Sequence, residues 1–265
     1  MRDKNILYMD NTLDTWATAV IDLICRDKEE LNHTDYSFRH EIIPFNQLGP
    51  INLEKIYIGT ESKMSSLKKA YFNQESLDRA KKRLEEGANS VSISLQAKDK
   101  TYTKQDHCMV SMVIYKDKKD YEITVFYRVT EICRKFLFDL KFLHDVVLPY
   151  LGIENYHVTF FFTRITLSLI FLHTLFLLYP CYLEGLKNMD KEKLNNCYEA
   201  DELLRDYLQY LNMMLKRKEK GSMLKSHWRH FQKFKTTKEF KELYKYLENK
   251  YARTNKLFNE DSPES

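Results

Sequence analysis

Residues 107–139 read HCMVSMVIYKDKKDYEITVFYRVTEICRKFLFD. Met109 to Tyr115 alternates apolar and polar side chains, which is the period of a half-buried strand. Lys116 to Asp120 is a charged run and predicts a turn. Tyr121 to Arg128 alternates again and predicts a second strand. After it, Phe136, Leu140 and Leu143 fall on one face of an amphipathic helix, predicted from Glu131 to about Val147 and stopped by Pro149. That helix carries Glu131 and Asp139. A single cysteine, Cys108, opens the first strand, and Arg128 closes the second.

Outward from this stretch, Thr12 to Asn32 predicts a first helix with Asn11 as N-cap and Trp16, Val20, Ile21, Leu23 and Ile24 as its apolar face. Residues from Arg39 to Ile58 read as extended segments broken at Gly49-Pro50. Ser76 to Glu86 is a helix with Leu77, Ala80 and Leu84 on one face and Gly87 as its C-terminal stop. Ser90 to Gln96 alternates as a strand, and His157 to Phe162 predicts another. Asp190 to Leu215 and Thr237 to Tyr251 are charged helical stretches, and Asn259 to Ser265 is a polar tail.

A chain of 265 residues buries a full core as one large domain, or as one domain with an extension. Its 43% apolar content excludes a disordered chain. With 6 glycines and no GxGxxG or GxxxxGKS/T sequence, Gly-rich phosphate loops are excluded. The 5 cysteines (Cys25, Cys108, Cys133, Cys181 and Cys197) are odd in number, and none stand in CxxC spacing. This predicts a reducing, cytoplasmic compartment without a disulfide framework or a zinc ribbon. Met1 to Asn11 is charged and lacks the apolar run of a secretory leader. Ile165 to Leu183 is the longest apolar segment, but it contains His173 and Pro180 and follows Arg164. Its apolar run is shorter than the roughly 20 residues of a membrane span, so it reads as a buried core helix.

The order helix, helix, strand, cysteine strand, arginine strand, helix, strand, helix resembles the thymidylate synthases and the related deoxycytidylate hydroxymethylases. SLDRAKKRLEEGANSVSISL (residues 76–95) looks like the family's helix and strand before the cysteine loop, and YLGIENYHVTF (residues 150–160) like its later strand. The resemblance implies an α+β, thymidylate synthase-like three-layer fold with a mixed sheet over residues 1–186. A basic helical extension, residues 187–265, lies outside it. It also implies a homodimer with sheets back to back, a pyrimidine nucleotide as substrate and, in an active enzyme, methylenetetrahydrofolate as carbon donor.

Carried over position by position, the resemblance makes Cys108 the nucleophile that adds to C6 of the pyrimidine. Arg128 would hold the phosphate and favour the thiolate. Arg39 falls near a second phosphate-binding arginine, and His157 near the residue that contacts the sugar. Glu131 is the carboxylate just beyond the arginine strand. Asp139 stands where a synthase acting on uracil has Asn, and a carboxylate there accepts a hydrogen bond from the exocyclic amine of cytosine. The chain departs from the pattern at Ser90 to Ser92, where the family has paired arginines, and at Met109, Val129 and Thr159. Glu41, Glu54 and Glu61 are candidates for the family's catalytic glutamate. Two functions therefore stand: one-carbon transfer to pyrimidine C5, or a degenerate member that binds nucleotide or nucleic acid without turnover.

Taken alone, these residues also have plain structural readings. A lone cysteine at a strand start is a small buried hydrophobe, and a strand-end arginine is a surface residue. Glu131 and Asp139 read as solvated, and His157 as a structural residue among aromatics.

The net charge of +4 gathers toward the C-terminus. Lys216, Arg217, Lys218, Lys220, Lys225 and Arg229 are interleaved with aromatics that include Trp228, Phe231 and Phe234. Cations contact phosphates while aromatics stack on bases, so this stretch is a candidate nucleic-acid-binding surface. The alternative is a solvated helix whose aromatics pack inward. His227 and His230 have no cysteine or acid near enough to form a metal site, and none is expected.

Overall fold

The computed structural model describes residues 12–26, 29–32, 34–54, 60–95, 108–118, 120–178, 198–217 and 225–259. The chain is α+β and divides into two compact units. The first takes the chain up to Val20 and Tyr36–Leu167; the second takes Ile21–Asp35 and the chain from Ser168 onward. The boundary expected at 186 lies outside the described residues.

The strands are β1 (Glu29–Asn32), β2 (Asp35–Phe45), β3 (Ser90–Ser94), β4 (Met109–Asp117), β5 (Asp120–Glu131) and β6 (Tyr156–Ser168). They form one sheet in the order β1-β2-β6-β5-β4-β3. It is mixed: β3, β4 and β5 are antiparallel neighbours, and β6 runs parallel to β5. The charged run makes the β4–β5 turn between Asp117 and Asp120, with Lys118 at φ 55°, the left-handed conformation that tight hairpins require.

Three rungs across β4, β5 and β6 form the core face: Ile114–Ile123–Val158, Met112–Val125–Phe160 and Met109–Tyr127–Phe162. Side chains alternate across a strand, so the intervening residues point away from it. That second face carries Tyr115, Glu122 and His157, then Ser111, Phe126 and Phe161. The alternation slips at two places. Between Met109 and Ser111 the ladder is irregular, and the buried positions jump from Met109 to Met112. On β2 they jump from Phe38 to Ile43 past His40, whose φ is 56°. An inserted residue re-aims a strand in this way.

Helices α2 (Thr60–Tyr71) and α3 (Gln74–Glu85) lie between β2 and β3, and α4 (Lys135–Phe142) and α5 (Leu148–Leu151) between β5 and β6. α3 packs on β3, α4 on β5, and α2 on α4. Asn73 caps α3 by accepting from the Ser76 N–H, and Gly87 leaves it at φ 88°. Phe136 of α4 lies at the centre of the core, with ring centroids 5.1 Å from Phe160, 5.2 Å from Phe162, 6.0 Å from Tyr127 and 6.1 Å from Phe45. The first helix, α1 (Thr12–Ile24), buries Trp16, whose Nε1–H donates to the Ile132 carbonyl at 2.9 Å.

Several boundaries differ from expectation. α1 ends at Ile24, because the apolar spacing stops there, and 29–32 is strand instead. Glu131 is the last residue of β5, and the helix begins at Lys135. Pro149 does not stop that helix. One wider π-turn (Leu143–Val147) lets the Leu148 N–H bond to the Leu143 carbonyl, and Pro149 enters the first turn of α5, where its missing N–H costs nothing. Within the described residues, the apolar segment from Ile165 is strand up to Ser168 and helix over α6 (Leu169–Leu178). α2 was not expected as a helix at all.

The second unit contains β1 and, from Ser168 onward, the helices α6, α7 (Tyr198–Lys216), α8 (Lys225–Phe234) and α9 (Lys238–Asn259). Leu204, Tyr207, Leu208 and Leu211 of α7 and Phe240, Leu243 and Leu247 of α9 are buried. Among the described residues, no helix is long and apolar enough to cross a membrane, and no cluster of metal-binding side chains occurs.

Candidate functional site

Cys108 stands immediately before β4, half-buried. Its carbonyl accepts the Arg128 N–H at 2.9 Å, so the cysteine and the arginine are neighbours across the β4–β5 ladder. Its own N–H donates to the Tyr71 hydroxyl at 3.1 Å, which ties the end of α2 to the start of β4. Burial pushes the Cys108 thiol up; Asp139 adds to this, while Lys135, Arg128 and Lys63 oppose it.

Asp139 is buried on α4, in the turn after Lys135. Burial raises its carboxyl to about 7, against the pull of Lys63, Lys135 and a hydrogen bond from Tyr127. A carboxyl poised there exchanges protons near neutrality. The aromatic core positions Tyr127, whose ring packs on Phe136 and whose hydroxyl also lies 3.3 Å from the Met109 sulfur. Lys63, half-buried on α2, has its ammonium pushed down by burial and by Arg134, while Asp139 supports its charge.

Cys108 thus lies within the field of both Arg128 and Asp139, but Arg128 is exposed and alternates to the sheet face opposite Tyr127, the hydrogen-bond partner of Asp139. Glu131 is buried nearby but turned elsewhere: its carboxylate accepts the Cys133 N–H at 3.1 Å, and burial together with the Glu131 charge holds the Cys133 thiol up. His157 is level with Glu122, whereas Arg128 follows Tyr127, which is level with Phe162. The histidine therefore lies roughly 20 Å along the sheet from Arg128. Arg39 is exposed on β2, two strands away from β5. Of the glutamates, Glu41 is half-exposed on β2, and Glu54 and Glu61 are exposed.

Lys63, Tyr71, Arg134 and Lys135 went unnoticed in the sequence reading. The signal for the first two was present in TESKMSSLKKAY, where Lys63, Leu67, Ala70 and Tyr71 share one helical face.

In the second unit, Lys216, Arg217 and Arg229 are exposed, and Lys225 opens α8. Lys218 and Lys220 lie outside the described residues. The aromatics turn inward: Phe234 stacks on His173 at 4.6 Å, Phe231 is buried against Phe240, and Trp228 is half-buried with its ring 6.5 Å from Phe231.

No family model matches this sequence, and no curated protein matches it. Among solved structures, the chain is similar to thermostable thymidylate synthase A from Bacillus subtilis. The TM-score is 0.46 and the identity 10%, covering 63% of this chain and 83% of that one.

Proposed function

We propose that the chain is a thymidylate synthase-like transferase that adds one carbon to C5 of a pyrimidine nucleotide, with cytidine-type nucleotides favoured. The observation that carries this reading is Cys108 at the end of the β4–β5 ladder, its carbonyl accepting the Arg128 N–H and its thiol within the field of Asp139. The sulfur of Cys108 would add to C6, and the C5–C6 π electrons would move toward C4, making C5 nucleophilic. Asp139 would accept a hydrogen bond from the exocyclic amine of the base, and Arg128 would pair with the phosphate. Arg39 and His157, remote in one chain, keep phosphate and sugar roles only as proposals. Glu131 would act through the turn that it braces at Cys133.

Methylenetetrahydrofolate would be the carbon donor, and its acidic tail suits the Arg134 and Lys135 cations at the start of α4. When bound, it would supply the carbon that C5 accepts.

A second reading, nucleotide binding without turnover, is favoured by one observation: the Cys108 thiol is held above its ordinary range. The basic extension, with Lys216, Arg217, Lys218, Lys220, Lys225, Trp228 and Arg229, would belong to that reading as a nucleic-acid contact. The inward packing of Phe231 and Phe234 leaves phosphate contact rather than base stacking as its chemistry.

Tritium release from C5-labelled dCMP, CMP, dUMP and UMP, with and without methylenetetrahydrofolate, separates the two readings. Release that disappears in Cys108→Ala supports the transferase and identifies the base. Binding of a nucleotide without release supports the second reading.

A further inference from the structure

The second unit has a pocket of its own. Glu202, Asp206, Gln209, Tyr210 and Met213 recur along α7 at helical spacing and share one face of it. Together with Glu30 of β1 and Thr34, that face lines a cavity of about 480 Å³, a size that takes a small molecule. Leu204, Tyr207, Leu208 and Leu211 turn the other way, into the core. Tyr210 stands at the edge of the stripe nearest these core side chains, so it forms the buried floor at 5% exposure. Glu30, Glu202 and Met213 are exposed at the rim, and Asp206 is half-buried.

The Tyr210 ring stacks on Tyr207 at 6.2 Å, yet no hydrogen bond holds its hydroxyl, which reaches the cavity instead. A phenol so deeply placed without a partner costs free energy that a donor entering the cavity would recover. Burial keeps the proton on the phenol, so its oxygen is a neutral acceptor. Among the described residues, three acids and no cation line the cavity. Arg217 meets the Met213 sulfur at 4.0 Å at one end, and Arg205 lies over the Tyr251 ring of α9 at 5.8 Å. The acids do not converge on one point: no cluster of metal-binding side chains forms among the described residues. Glu202 and Asp206 are separated by about 6 Å of helix axis, and Glu30 approaches from β1. The matching ligand therefore carries several positive charges on an apolar chain, not one compact charge.

We propose that this pocket binds a linear aliphatic polyamine. Its ammonium groups pair with Glu30, Glu202 and Asp206, one of them donates to the Tyr210 hydroxyl oxygen, and its methylenes lie on Met213 and the Tyr210 ring. The inference is independent of the pyrimidine reading.

The test is calorimetric titration of the full chain with spermidine at about 0.15 M salt, where diffuse attraction is screened. The wild type should bind with a Kd below about 1 mM, and spermidine should raise its melting temperature. Tyr210→Phe removes only the hydroxyl and should weaken binding about tenfold. Without spermidine its melting temperature should stay level or rise, because no internal hydrogen bond is lost. Glu202→Gln, at an exposed position where the fold is indifferent to it, and Asp206→Asn should each weaken binding about threefold. No binding by the wild type up to about 1 mM overturns the proposal. So does an affinity unchanged in Tyr210→Phe or in the double variant Glu202→Gln/Asp206→Asn. Trilysine bound as tightly as spermidine would mean that any polycation suffices, and overturns the polyamine assignment.

Discussion

The hydroxyl oxygen of Tyr71 accepts the backbone N–H of Cys108 at 3.1 Å and lies 3.5 Å from that of Met109. The last residue of α2 thus fixes the point where β4 begins, next to the bulge that re-aims the strand. Tyr71 is itself buried, so its removal strands a part-buried amide. Tyr71→Phe is expected to cost about 1–2 kcal/mol of stability, read by urea denaturation. A loss under a few tenths would mean that water replaces the hydroxyl and that Tyr71 does not anchor the strand.

Asp139 makes stability depend on pH in a direction opposite to that of most carboxylates. Its folded value, about 7, is above the ordinary 3.8, so the folded chain keeps the proton that the unfolded chain releases. Stability from this group is full below about pH 4 and is lost as pH rises through about 7. Roughly three units at about 1.4 kcal/mol each give a change of about 4 kcal/mol. Asp139→Asn cannot ionise and removes that slope. Its melting temperature should exceed the wild-type value at about pH 8, with the gap closing toward about pH 5. A gap that widens on acidification would contradict the assignment.

The β4–β5 hairpin was legible because alternation and a charged turn fall together in one short stretch. Cys108 and Arg128 were legible as the two ends of that hairpin, but the irregularity between Met109 and Ser111, which brings Arg128 rather than Val129 level with Cys108, was not. Asp139 was visible as a residue but not as a buried one, because helical period alone does not tell how much of α4 is enclosed; here nearly all of it is. Lys63 and Tyr71 escaped because α2 is rich in lysine and serine and its apolar stripe is narrow. The shortening of α1 was hidden because the residues after Ile24 are mostly good helix formers. What they lack is an apolar side chain to bury before Leu31.

Phe136 tests whether the aromatic core positions the site. Its ring is fully buried and packs edge-on against Phe45, Tyr127, Phe160 and Phe162. Phe136→Ala should cost about 3–5 kcal/mol. Tyr127 would lose one of its three ring neighbours beside Asp139, so Phe136→Leu, which keeps most of the volume, should alter Cys108 alkylation less than Phe136→Ala. Equal effects of the two would mean that the core and the site are uncoupled.

The sheet face opposite the helices bears on assembly. Phe126 is 40% exposed and stacks on Phe161 at 5.6 Å, and Tyr115 is 52% exposed on the same face of β4. Exposed aromatics on a flat sheet face favour coverage by another protein surface. A homodimer with sheets back to back, as the family resemblance implies, would cover this face. Phe126→Glu introduces a charge at the centre of such a contact, yet costs the single chain little because the position is already part-solvated. Sedimentation should show a dimer for the wild type and a monomer for Phe126→Glu, with the melting temperature of the dilute protein nearly unchanged. A wild-type monomer at about 50 µM, well above the micromolar constants of weak stable dimers, would overturn the dimer. A variant that stays dimeric would place the contact on another face.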